Sequence, residues 1–571
     1  MATIHWQEIV AQKRKEQAAS IPKDWILPNL PSKDTLNVID FPEKCGLLTA
    51  KEIEITNTEV DVILKKLANG IWSSVEVTTA FSKRAIIAHQ LVNCLTEIFI
   101  DRALARAAEL DKHLKTTGKV VGPLHGLPIS LKDQVNIKGI DSTMGYVTWA
   151  SKPAAENAVL ANILEACGAV LYVKTNVPQT LMWGETFNHI FGRTTNPYNR
   201  SLTPGGSSGG EGALIALKGS PIGVGSDLGG SVRIPAAFNG LYGLRGSYGR
   251  VPYAGCVNSL EGQDSIPSVL GPLTNSIGAI KAFLKSVLSQ KPWLHDPLVV
   301  RKPWNEDEYK LADHGNGTQL CFAIMWDDGH TVPHPPVRRG LEATKQALLA
   351  AGHRVIDWTP LAHAEAFQVA GTIFGAGARE DFRVTTAPSG EPIITTMDLS
   401  VDTPGVSPLP PDAEPFFSPP PDGLSAYELW QAQRRKRDYR QAYLDHWNAT
   451  VEVTGTGRPV DAIISPCAAF TARPHGSSKN PGYTVVWNVL DYASLVIPTG
   501  LSVDPVLDVP KPAHDFLTGP DKVNYEIYAP ADFKYAPIAI QVTGRTLEEE
   551  AVIAMGEIVD AALKNNLKTC N

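Results

Sequence analysis

TPGGSSGGEGALIALKGSPIGVGSDLGGSVRIP, residues 203–235, holds two glycine-wrapped hydroxyl sites: Ser207 and Ser208 in GGSSGG, and Ser231 in GSDLGGS. Between them GALIAL has helical character, and PIGVGSD reads as a short buried strand. Glycine is used where backbone must take positive φ or come close to a ligand. A flexible Gly/Ser tether would be polar throughout, whereas this stretch is broken by two apolar runs. The pattern points to serines presented to a substrate from the edges of packed elements.

Outward from this stretch, the same alternation continues. Upstream, HGLPISLKDQV (125–135) is a short apolar run that delivers Lys132 at the end of a strand, AVLANILEACG (158–168) predicts a helix and AVLYVKTN (169–176) a strand. Before these, apolar residues at three- and four-residue intervals predict amphipathic helices within 6–19, 59–70, 75–91 and 101–118, with Gly70 and Gly118 as stops. Downstream, SIGAIKAFLKSVL, VRRGLEATKQALLAAG and the closing LEEEAVIAMGEIVDAALKNN predict helices. QLCFAIMWDDG predicts a strand, VRRGLEATKQALLAAG leads into RVIDW, and DAIISP, TVVWNVLDYASLVIP and APIAIQVTGR carry further core segments. Buried strands alternating with helices predict an α/β fold, a sheet covered by helices. The exception is 385–424, containing SPLPPDAEPFFSPPPDG, too proline-rich for helix or central strand. A long segment of this kind suits an insertion or lid.

Composition narrows the function class. The 571 residues are 43% hydrophobic and 19% charged with net charge −7, ordinary for a soluble protein. No basic surplus suggests a nucleic acid or anionic-membrane partner. Seven scattered cysteines form no CxxC, as expected of a reduced intracellular protein. The first 20 residues have no apolar core of signal-peptide type, and no run of 18 apolar residues occurs. A cytoplasmic protein without a transmembrane segment is expected.

Several chemistries compete for the serines. GGSSGG fits the nucleophile-elbow pattern G-x-S-x-G on Ser207 and again on Ser208, and His330, His334, His353 and His475 follow downstream. The elbow, however, belongs on a strand-to-helix turn, and the coil-like RTTNPYNRSL precedes TPGGSS. A phosphate loop is excluded by the missing Gly-Lys-Ser/Thr ending. HTVPHPP (330–336) offers two histidines without a third ligand at metal-binding spacing, so no metal is expected. A serine hydrolase with a lysine base remains. An amine near pKa 10.4 is essentially all ammonium at pH 7, and desolvation by a buried strand can lower it by up to 3–5 units. Lys132 becomes a base only if buried among hydroxyls; a snorkelling surface lysine is the plain alternative.

GLPISLKD (126–133), TPGGSSGGEGA (203–213) and GSDLGGSVRIPA (225–236), in this order, resemble the amidase signature family, most closely its fungal acetamidases and more distantly fatty acid amide hydrolase. The resemblance continues through YVKTNVPQTLM and APIAIQVTGRTLEEE and covers nearly the whole chain except the proline-rich stretch. It implies one large α/β/α layered domain (1–571) around a mixed twisted sheet: a helical part at 1–85, a catalytic core at 86–290, and the remaining sheet and helices at 291–571. It implies Ser231 as nucleophile, Ser207 as bridging serine after a cis Gly206–Ser207 bond, and Lys132 as base. The N–H groups of Leu228, Gly229, Gly230 and Ser231 match the family's oxyanion hole. Ser208, Asp227 and Arg233 would support the site, and Leu181 and Met182 would wall the acyl pocket. The implied activity is cleavage of the C–N bond of monocarboxylic acid amides through an acyl-enzyme, without metal or organic cofactor. The same chemistry dedicated to a specialised aryl amide, xenobiotic or secondary metabolite, with hydrolysis or acyl transfer, stays open, as does an amidotransferase subunit. The family's frequent dimers make a homodimer an expectation of the same kind.

Overall fold

The computed structural model describes residues 5–399, 423–477 and 482–570. Its strands are β1 (Leu95–Ile98), β2 (Pro128–Lys132), β3 (Val170–Thr175), β4 (Phe187–Asn188), β5 (Gly192–Arg193), β6 (Ile222–Asp227) and β7 (Tyr242–Arg245). They continue as β8 (Val269–Thr274), β9 (Cys321–Ile324), β10 (Arg354–Asp357), β11 (Ala462–Pro466), β12 (Ser494–Ser502) and β13 (Pro537–Thr543). Apart from the small β4–β5 hairpin, they form one eleven-stranded sheet in the order β1-β3-β2-β6-β8-β7-β12-β13-β11-β9-β10. It is mixed. β2 runs parallel to β3 and β6, β9 runs parallel to β10 and β11, and the other junctions are antiparallel.

Helices cover both faces because successive strand residues point to opposite sides. On β3, Leu171 packs with the helices Val159–Ala166 and Ile277–Ser289, whereas Tyr172 packs with Ser74–Val92 and Ile100–Thr117. On β12, Leu495 and Ile497 face the long C-terminal helix Glu549–Cys570, while Val496 faces the helices His363–Thr386 and Gly482–Leu490. This is the helix-covered sheet that the alternating pattern predicts, and the mixed sheet that the resemblance implies. Among the described residues no helix is long and apolar enough to cross a membrane.

Some elements escape the pattern. β8 is central, paired with β6 and β7, yet contains Pro272, a residue that argues against a central strand in sequence. The β7 pairing stops at Leu273, one residue before it, so the proline sits where that ladder has ended. The helix His363–Thr386 enters the proline-rich stretch by two residues. Ile394 and Met397 then pack against Trp183 and Phe187. Residues 400–422, which carry most of the expected insertion or lid, lie outside the described residues.

Candidate active site

The site forms where the parallel strands β2 and β6 end side by side. All five residues of β2 are buried between β3 and β6, which carries Lys132 into the interior with no exposed surface. β6 brings Ser226 and Asp227 to the same edge, and the chain then turns through 228–231 into the helix Arg233–Phe238. The second serine loop docks beside it: the Ser208 N–H donates to the Ser231 carbonyl at 3.3 Å, and Gly209–Ala216 continues as a fully buried helix. The Gly206–Ser207 peptide is cis. Gly206 is required by contact. A Cβ there would stand 2.4 Å from the Trp183 carbonyl oxygen and 2.6 Å from that of Glu185.

Lys132 Nζ lies 2.7 Å from Ser207 Oγ and 2.8 Å from Ser226 Oγ. Burial pulls its pKa down to about 7, against the opposing pull of the Asp227 and Glu211 carboxyls. Glu211 is itself buried, which pushes it up to about 8 while Ser130 and Thr175 donate to it at 2.6 and 3.0 Å. Ser207 is 1% exposed, whereas Ser231 is partly exposed. Lys132 and Ser207 are thus interior, and Ser231 lies nearer the surface. Among the described residues the Ser231 hydroxyl makes no hydrogen bond to Ser207, and their loops meet through backbone. Ser208 Oγ accepts from Ser226 N–H at 3.3 Å and lies 3.4 Å from the Ser226 carbonyl, pinning the loop to β6.

Asp227 and Arg233 are fully buried and joined twice, Nη2 to Oδ1 and Nε to Oδ2, both at 3.0 Å. Burial alone would raise the carboxyl; the Arg233 guanidinium and the Asn488 amide override it and hold Asp227 at about 2. The carboxylate also accepts from the N–H groups of Val232 and Arg233, fixing the turn after Ser231. Inside that turn, the N–H groups of Leu228, Gly229, Gly230 and Ser231 donate to no acceptor among the described residues. Gly230 takes φ +141°, and a Cβ there would stand 2.3 Å from Thr484 Oγ1.

Leu181 is buried at φ +61° with Met144, Tyr146 and Val177, and Met182 is partly buried. The 181–185 loop meets Gly206 through the Trp183 and Glu185 backbone, so both side chains belong to the segment beside the serine loop. The histidines do not gather there. His330 stacks on Phe367, His334 donates to the Asn524 carbonyl, and His353 accepts from Leu320 N–H. His475 Nδ1 lies 3.6 Å from Glu185 Oε2. Among the described residues none of the four bonds to Ser207, Ser208 or Ser231.

Sequence reasoning passes over Gln134, Glu211, Ser226, Thr484 and Asn488. Ser226 and Glu211 lie inside the quoted motifs, and Gln134 two residues beyond Lys132, but their roles depend on strand register. Thr484 and Asn488 come from TVVWN, which carries only a core pattern.

The amidase family model matches residues 76–553. The chain belongs to the amidase family. It is 43% identical to an acetamidase of Aspergillus oryzae, over 99% of this chain and 100% of that protein. It is 42% identical to an acetamidase of Emericella nidulans, over 98% of each. Among solved structures, a fatty acid amide hydrolase superposes with a TM-score of 0.87 at 33% identity, covering 98% of this chain and 95% of that one. A bacterial aryl acylamidase with a TM-score of 0.68 at 19% identity shares the fold. The protein is thus an acetamidase-like amide-hydrolysing enzyme of the amidase signature family, with the family's mixed α/β architecture.

Proposed function

We propose that the enzyme cleaves the C–N bond of monocarboxylic acid amides through an acyl-enzyme on Ser231, using Ser207 as relay and Lys132 as base. The observation that carries this reading is a lysine with no exposed surface, 2.7 Å from a serine hydroxyl and held at about pKa 7. Near neutral pH a large fraction of such an amine is neutral and able to take a proton.

In the first half-reaction Ser231 Oγ bonds to the amide carbon, its proton passes to Ser207 Oγ, and the Ser207 proton passes to Lys132 Nζ. The carbonyl oxygen becomes an oxyanion and takes N–H donors from the 228–231 loop, a contribution on the order of 3 kcal/mol per donor. The tetrahedral centre then expels nitrogen. Ser207 protonates it, Lys132 returns a proton to Ser207, and an ester on Ser231 remains. In the second half water replaces Ser231 as nucleophile, loses its proton along the same relay, and breaks the ester. Acid and ammonia or amine are released, and the three residues are restored.

Leu181 and Met182 supply apolar wall for the acyl group. The acetamidases match from end to end, which favours a self-sufficient amidase over a subunit of a larger assembly and small aliphatic amides as substrates. The test is a panel of aliphatic amides, anilides and esters analysed by mass spectrometry, with fluorophosphonate labelling. Ser231→Ala is expected to lose turnover and label, and Lys132→Ala to lose orders of magnitude in kcat at neutral pH. Labelling retained in Ser231→Ala, or parental activity in Lys132→Ala, overturns the assignment.

A further inference from the structure

Lys132 Nζ has two hydroxyl neighbours, and only one of them can use its lone pair. A neutral amine carries two N–H groups and one lone pair. To take a proton from Ser207, the lone pair must face Ser207, and the contact with Ser226 at 2.8 Å must then be a donation from the amine. If Ser226 instead donated its hydrogen to Nζ, the lone pair would be occupied and Lys132 could only donate to Ser207. The two arrangements have the same heavy-atom geometry and opposite chemical consequences.

Gln134 decides between them. It is fully buried, and its amide touches three groups. Nε2 donates to the Val257 carbonyl at 3.0 Å and to Tyr253 Oη at 2.7 Å, and Oε1 accepts from Ser226 Oγ at 2.5 Å. A carbonyl can only accept, so Val257 fixes the nitrogen end of the amide on its side. The oxygen end then faces Ser226, and an amide oxygen can likewise only accept. The single Ser226 hydrogen is therefore committed to Gln134, leaving Ser226 nothing but lone pairs for Lys132. Backbone holds the arrangement in place: the Val257 N–H donates to the Gln134 carbonyl at 3.0 Å, and Ser226 is fixed in β6.

We propose that Gln134 is a positioning residue which, through the hydroxyl of Ser226, turns the Lys132 lone pair toward Ser207. The proposal rests on the reading of Lys132 as the base. It assigns Gln134 no contact with substrate. Its effect belongs to kcat rather than KM, and it requires the Ser226 hydroxyl to be present.

The experiment is a double-mutant cycle on the full-length enzyme. Gln134→Leu frees the Ser226 hydrogen to occupy the lone pair, and kcat is expected to fall about tenfold or more, below the loss of the base itself, with KM within about twofold. In the Ser226→Ala background, where no hydroxyl can be misdirected, Gln134→Leu is expected to cost less than about twofold further, the non-additivity of residues acting as one unit. Should Gln134→Leu fail to fold, the unbranched Gln134→Met takes its place in the same cycle. Additive losses would mean that Gln134 merely packs the 253–257 loop, and the proposal falls. Lys132→Ala in the same assay separates the two readings. If it is inactive while Gln134→Leu is parental, only this proposal is lost. If Lys132→Ala is parental, the base assignment is lost with it.

Discussion

Thr484 Oγ1 donates a 2.6 Å hydrogen bond to the carbonyl oxygen of Gly229, joining a helix 255 residues away to the turn with four free N–H groups. In a planar trans peptide the C=O and the following N–H point in opposite directions. Anchoring the Gly229 oxygen on Thr484 therefore aims the Gly230 N–H, one of the proposed oxyanion donors, away from that hydroxyl.

Thr484→Val keeps the shape and removes the anchor. A net hydrogen bond of about 1 kcal/mol is lost, and part of the aim of one oxyanion donor with it. The expected result is a kcat about tenfold lower with little change in Tm, and recovery in Thr484→Ser. Steady-state kinetics with a single amide decides it; a parental kcat in the valine variant shows that the anchor is not used.

The pH profile follows from Lys132. Its pKa in the folded protein is about 7, and the proposed mechanism uses its neutral form. Activity is expected to rise through pH 7 with unit slope and to level off above about 8. The neighbouring Glu211 opposes the depression of Lys132 only while ionised, and burial pushes it up to about 8, so near pH 7 it is mostly neutral. Glu211→Gln is therefore expected to leave the midpoint nearly in place, with at most a small shift to lower pH. Measurement of kcat/KM from pH 5 to 9 in both proteins checks it; a midpoint that rises contradicts the assigned coupling.

Gly206→Ala tests the packing behind the serine loop. Its Cβ would meet two backbone oxygens of 183–185, neither of which can move like a flexible side chain. Overpacking of this kind costs about 1–3 kcal/mol or more. A lower Tm together with loss of fluorophosphonate labelling is expected. Parental stability would mean that the 183–185 loop yields freely.

How much of this is legible in the sequence depends on what each residue needs. Lys132 can be read because an apolar run ends on it, and β2 spans Pro128–Lys132 within that run. Gly118 can be read as a helix stop, and it takes φ +66° after Ile100–Thr117. Ser226 cannot. Its side chain meets Lys132 only because β6 pairs with β2 in one particular register, Leu131 opposite Val224. Thr484 and Asn488 are further removed, since their partners Gly229 and Asp227 lie more than 250 residues earlier. β8 is hidden for the opposite reason, its local pattern being contradicted by a proline that the tertiary pairing tolerates.

Arg233 and Asp227 give the stability prediction with the clearest sign. Both are fully buried, so removing the guanidinium leaves a carboxylate without its partner, at a cost of about 3–5 kcal/mol. Arg233→Met is accordingly expected to lower Tm by several degrees and to disorder the turn that Asp227 holds through Val232 and Arg233 N–H. The pH dependence is separate. The folded pKa of Asp227 is about 2, below the ordinary aspartate value of 3.8. A depressed carboxyl contributes stability that is fully present above its unfolded pKa and lost as pH falls through the folded one. The shift corresponds to about 2 kcal/mol, lost between roughly pH 4 and pH 2. Urea unfolding of the parent and of Arg233→Met across that window measures it. In the variant the acid-dependent loss attributable to Asp227 is expected to shrink, because without the guanidinium burial raises the carboxyl instead. An unchanged acid slope would assign the acid sensitivity to other carboxylates.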